Sequence, residues 1–242
     1  MDITSIRIKI LAIVIGLFSL IAMAFIIYSI ATTKNYRQLR TDEISKTVAF
    51  ESERVAKTIA EMERNAINLA LAGRQFYQAG GASDDVGISI SVENVKAFRA
   101  AVGGGIWYEP YALHSDTLRV CYYAFRESTG AVRHDPSYEG EEYDYHTRIW
   151  YTQIKAGAAT GENQTVWTVP YYAQGGAFSL MTTVGAGIYD SDGHFIGMST
   201  IDWEIQSVVN RLSAIKPTEN SFVLLASPND NLVISNTYES DV

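Results

Sequence analysis

Residues 178–203 read FSLMTTVGAGIYDSDGHFIGMSTIDW. Two runs rich in β-branched, aromatic and small apolar residues, Phe178 to Tyr189 and Phe195 to Trp203, flank Asp190-Ser191-Asp192-Gly193. Acidic residues and glycine at that point favour a tight reversal, so the runs pair as an antiparallel hairpin. A third run, Thr165 to Tyr172, precedes them across Gly175-Gly176 and makes the set a three-stranded meander. Its last strand ends on a carboxylate, Asp202, in an otherwise apolar setting.

The same reading extends outward. Gln206 to Ile215 is a closing helix, with Pro217 behind it. Upstream, Thr117 to Phe125 and Ala131 to His134 flank Glu127-Ser128-Thr129-Gly130, a hairpin signal. Val92, Val95, Phe98 and Ala101 mark a short helix, and Gly103-Gly104-Gly105 reads as the turn that stops it before Ile106-Trp107-Tyr108. Asp135 to Tyr145 is acidic and tyrosine-rich, a loop, and Arg148 to Ala156 a helix. Ser221 to Ala226 and Asn231 to Ser235 form one more hairpin. This order of elements is α+β.

The N-terminal third is different. Ile10 to Ile30 is a nearly unbroken apolar run, long enough to span a bilayer, with no small-x-small cleavage site before Lys34. It reads as an uncleaved membrane anchor. Flanking charges, Arg7 and Lys9 against Lys34, Arg37 and Arg40, leave its orientation open. From Lys34 to about Gln78 the chain is a long helix with a stripe at Ile44, Val48, Val55, Ile59, Met62, Ala66 and Leu69. Two roles stay open for that stripe: packing on its own domain, or a seam with a second copy.

Composition excludes several classes. With 27 acidic and 19 basic residues, a net charge of -8 gives no basic face for nucleic acid. The single cysteine, Cys121, sits among apolar residues and reads as a buried strand position. The four histidines are scattered, and no P-loop, nucleophile elbow or metal spacing occurs, so neither cofactor nor metal is expected. Glu109, Asp135, Glu141 and Glu142 are the carboxylates from which an acid/base pair would be drawn, without a nucleophile beside them. An enzyme is therefore not expected.

What remains is a constellation. Tyr143, Arg148, Trp150, Tyr151 and Tyr171 precede Asp202. Arg presents a planar fork that fits a carboxylate, Tyr and Trp give flat walls with a polar tip, and a lone Asp accepts from an ammonium. Together they describe a pocket for a small zwitterion. Taken singly, each has an ordinary role: Arg148 paired with Asp144 or Glu142 on the surface, the aromatics in the core.

The series Tyr143, four residues, Arg148, one residue, Trp150-Tyr151, then Tyr171 and Asp202, resembles the amino-acid-binding motif of double Cache sensor domains of bacterial or archaeal transmembrane receptors. The resemblance implies a PAS-like antiparallel sheet behind a long helix. It implies that Arg148 and Trp150 hold a ligand carboxylate, that Tyr143 and Asp202 hold its amine, and that Tyr151 and Tyr171 are walls. Trp107 and Trp167 are further wall candidates, or core. One position departs: two residues after Tyr171, where such domains often carry a carboxylate, stands Ala173.

On this reading the chain divides into a cytoplasmic tail (1–9), a transmembrane helix (10–31), a long helix (32–80), a membrane-distal ligand-binding domain (81–215) and the start of a membrane-proximal PAS-like domain (216–242). The expected function is extracytoplasmic sensing of an amino acid or related zwitterion, by a homodimer joined through the long helix in the plasma membrane. The expected output domain, a chemotaxis, kinase or cyclic-nucleotide unit, lies beyond Val242. Alternatives are a sensor for another small carboxylate, a dimerisation module without ligand, and a membrane-anchored enzyme.

Overall fold

The computed structural model describes residues 3–81, 83–140, 142–158, 164–173, 179–213, 224–226 and 233–236. The chain divides into two units, Met1–Glu53 and Arg54–Val242, and helix α1 (Ile3–Gln78) contributes to both. In the first unit the apolar side chains from Ile13 to Ile30 are exposed, and the helix is long and apolar enough to cross a membrane.

The second unit carries α2 (Asp84–Ala97), β1 (Gly103–Tyr108), β2 (Cys121–Arg126), β3 (Val132–His134), α3 (Ile149–Ala158), β4 (Thr165–Trp167), β5 (Tyr171–Tyr172), β6 (Leu180–Tyr189), β7 (Phe195–Glu204) and α4 (Ile205–Ser213). Seven strands form one antiparallel sheet in the order β3-β2-β1-β7-β6-β4, with β5 also paired to β6. Strands β8 (Leu224–Ala226) and β9 (Val233–Asn236) form a separate hairpin. The turns expected at Gly175-Gly176 and between β8 and β9 lie outside the described residues.

Two expectations need correction. The glycine triplet is not a turn. It opens β1, the central strand, between β2 and β7. A Cβ on Gly104 would stand 2.8 Å from the Thr200 carbonyl oxygen, and one on Gly105 2.6 Å from that of Tyr122. The triplet serves close approach of three backbones. Helix α2 also begins earlier, at Asp84 after Ser83, with Asp84 and Asp85 in its first turn facing the positive end of the helix dipole.

The long stripe has its owner from Val55 onward. Met62, Ala66 and Leu69 are buried against the sheet, and Val55 and Ile59 pack on the same core. Ser199 donates to the Ala66 carbonyl at 2.6 Å, and Tyr108 to that of Gly73 at 2.7 Å, closing the helix onto the sheet. Val48, by contrast, is exposed.

Alternation along the strands sends neighbours to opposite faces. Ile106, Tyr108, Tyr122, Ile201 and Trp203 face the core shared with α1. Trp107, Cys121, Tyr123 and Met198 face a second core, capped by α3 and by the segment 135–148. Asp202 and Thr200 share the parity of Met198, which puts them on this second face.

Candidate functional site

The stretches 135–140 and 142–148 each carry one short 3-10 turn, Pro136–Tyr138 and Tyr145–Thr147. The Asp135 carboxylate accepts from Ser137 N and the Asp144 carboxylate from His146 N, so each Asp fixes its own turn. The turns direct Tyr138 and Tyr145 inward. Arg148 follows at once, in extended backbone, and α3 starts behind it.

A cavity of about 250 Å³ opens between these turns, the start of α3 and the second face of the sheet. Arg148 and Asp202 both line it, with Tyr143, Trp150 and Tyr171. Five of the six residues of the motif therefore meet. Trp107 joins them.

Two do not. Tyr151 is fully buried beneath the cavity, where its hydroxyl donates to Glu109 Oε1 at 2.6 Å. It packs in the core behind α3, its ring edge-on to that of Trp150 with centres 5.7 Å apart. Trp167 lies on the other face of the sheet: it pairs with Val184, donates to Glu63 Oε1 at 2.9 Å and stands against Trp203. Neither lines the cavity: Tyr151 is corrected as a wall residue, and Trp167 takes the core place left open for it.

Asp202 is the best-defined member. It is 4% exposed. Oδ2 accepts from Tyr123 Oη at 2.8 Å and Oδ1 from Thr183 Oγ1 at 2.6 Å. Thr183 spends its one hydrogen on Asp202, so the 2.6 Å contact with Tyr171 Oη is a bond in which Tyr171 donates. Register supplies Thr183, which pairs directly with Asp202, and Gly103, which pairs with Asp202 on the other side, leaves room for the Tyr123 hydroxyl. Burial pushes the Asp202 carboxyl above the ordinary carboxylate value, and the two hydroxyls pull it partly back.

The opposite pole is Arg148. Its guanidinium carbon stands 4.2 Å from the centre of the Tyr143 ring, a cation–π seat that holds the side chain over the cavity. Burial raises the Tyr143 phenol, against the lowering effects of the Trp150 N–H and of Arg148. Trp107 donates to Thr200 Oγ1 at 2.8 Å and stands 4.8 Å from Trp150, ring centre to centre. Tyr123, Tyr138, Thr183 and Thr200 are the participants that sequence reasoning missed. Counting alternation back from Asp202 would have found Thr200; the others come from pairing and turn geometry.

Among the described residues, Asp190, Asp192 and His194 bring three metal-capable side chains together at the exposed β6–β7 turn. Asp190 Oδ1 is occupied there by the backbone N–H groups of Asp192 and His194, which define the turn.

The fold is that of a receptor's sensor domain. The chain belongs to the methyl-accepting chemotaxis protein-like, first PDC sensor domain family, which matches residues 89–210. No curated protein matches by sequence. Among solved structures, methyl-accepting chemotaxis protein X is 20% identical (TM-score 0.59), over 76% of this chain and 70% of that one. The ligand-binding domain of Mlp24, solved with asparagine, is 17% identical (TM-score 0.53), over 83% and 72%. The extracellular domain of the histidine-kinase candidate mmHK1S-Z3 is 16% identical (TM-score 0.59), over 76% and 65%. At such identities the likeness is one of fold.

Proposed function

We propose that this sensor domain lies outside the cytoplasmic membrane, anchored by the apolar part of α1, and binds an amino acid or closely related zwitterion. One observation carries the reading: a guanidinium and a buried carboxylate line one small aromatic cavity. Arg148 grips the ligand carboxylate, with the Trp150 indole beside it. Asp202 takes the ammonium, whose charge offsets the cost of burying the carboxylate. Tyr143 and Tyr171 wall the two poles. With Ala173 in place of a second acid, Asp202 is the one charged acceptor for the amine among the described lining residues.

The occupied cavity biases α1, and the signal passes along the helix to an output domain. Two copies pair through the part of the long helix near Ile44 and Val48, where Val48 is exposed.

Calorimetric titration with an amino-acid panel tests the site. Charge-assisted hydrogen bonds contribute about 1.5–3 kcal/mol each, so losing a bidentate pair with Arg148→Ala should weaken binding about a hundredfold or more. Arg148→Lys should recover part of it, because an ammonium lacks the planar fork. Equal affinity in wild type and Arg148→Ala would remove Arg148 from the site.

A further inference from the structure

Resting on that reading of the cavity, we propose that its ligand carries no third charge: one carboxylate, one ammonium, and an uncharged, largely apolar remainder. The cavity's inventory supports this. Among the described lining residues Arg148 and Asp202 carry the formal charges, one of each sign. The remaining walls are aromatic rings, Ile149, Met181, Ala173, Thr147 and Thr200.

The polar groups on those walls are largely committed. Thr200 Oγ1 accepts from Trp107, Tyr123 Oη donates to Asp202, and Tyr171 Oη donates to Thr183. A ligand with a second carboxylate or a second ammonium would bury that charge against Met181, Ala173 and ring faces with no described counter-charge, an arrangement that is strongly disfavoured. About 250 Å³ is below the roughly 300–1,000 Å³ of pockets that hold drug-sized ligands, so the ligand is small. The cavity's aromatic lining also suits a methylated ammonium, so α-amino acids and N-methylated zwitterions share the required chemistry.

The test is calorimetric titration of the full chain in detergent with leucine, glycine betaine, glutamate and lysine, beside two variants. Leucine or betaine should bind at least tenfold more tightly than glutamate and lysine. Comparison of leucine with betaine tells a primary from a methylated ammonium. Ala173→Asp places a carboxylate in the wall and should improve lysine by about tenfold or more. Thr147→Lys, at an exposed position, should improve glutamate if Ala173→Asp fails to fold. Glutamate or lysine binding wild type as tightly as leucine and betaine overturns the inference while leaving the zwitterion site intact. Binding of none of the four overturns the site itself.

Discussion

Tyr123 Oη reaches Asp202 Oδ2 at 2.8 Å through the space where Gly103 has no side chain. A Cβ at that glycine would fall 2.1 Å from the tyrosine oxygen and 3.0 Å from Asp202 Oδ2. The hydrogen bond and the glycine are one feature.

Gly103→Ala should therefore displace the Tyr123 hydroxyl and cost about 1–3 kcal/mol of stability, as overpacked cores do. Tyr123→Phe in the same chain removes the clashing oxygen and should restore part of the loss. Urea unfolding of the single and double variants reads the coupling. Independent, additive effects would show that the glycine is there for another reason.

Asp202 should give the ligand-free domain a pH dependence of known sign. Its carboxyl is raised in the folded chain by burial and titrates near ~3.9 when unfolded. Between those two values the folded chain keeps a proton that the unfolded chain has released, so stability falls as pH rises through the window. Asp202→Asn removes the dependence. The two proteins should match at low pH, and the variant should be the more stable above the folded value. Unfolding midpoints across a pH series check this; a gap that does not widen with pH refutes it. An amine-bearing ligand should narrow the gap by stabilising wild type alone.

Tyr151 should behave as a structural residue. Its hydroxyl bonds Glu109, which also takes Lys155 Nζ at 2.7 Å, and it does not line the cavity. Tyr151→Phe should lower stability by about 1.5–3 kcal/mol, the usual worth of a hydrogen bond to a charged group. Ligand affinity should stay within about twofold of wild type. Thermal unfolding and titration on one preparation separate the two effects, and a large loss of affinity without loss of stability would return Tyr151 to the site.

Val55→Glu with Ile59→Glu should destabilise the folded domain itself. Both side chains pack on the core that α1 shares with the sheet, and a carboxylate there has apolar neighbours. Ile44→Glu with Val48→Glu, outside that core, should weaken the pairing of two copies and lower the unfolding midpoint much less than the first pair does. Denaturant unfolding of the two pairs is the comparison, and equal midpoints would place Val55 and Ile59 outside the core.

That Arg148 and Asp202 would line one cavity came from resemblance to a known motif. The meander and the closing helix were legible because turn residues and apolar runs report on single segments. The glycine triplet was not, because close approach of neighbouring backbones depends on which strands flank β1. Trp167 was left between wall and core for the same reason: its face is fixed by its register opposite Val184, which the local sequence does not state. Thr183 and Tyr123 reach Asp202 from two other strands, so no spacing in the chain announces them. Tyr138 enters through a 3-10 turn set by Asp135, inside a stretch whose acidity reads as solvent-facing loop.

Strand β1 gives the domain a party wall. Trp107 stands on the cavity side, while Ile106 and Tyr108, one residue to either side, clasp α1 at Gly73. The clasp has no slack: a Cβ on Gly73 would come within 2.8 Å of Ile188 and 3.1 Å of Ile106. Close-packed interiors compress little. A push on the Trp107 indole meets, a single peptide unit away, a joint with no play in it.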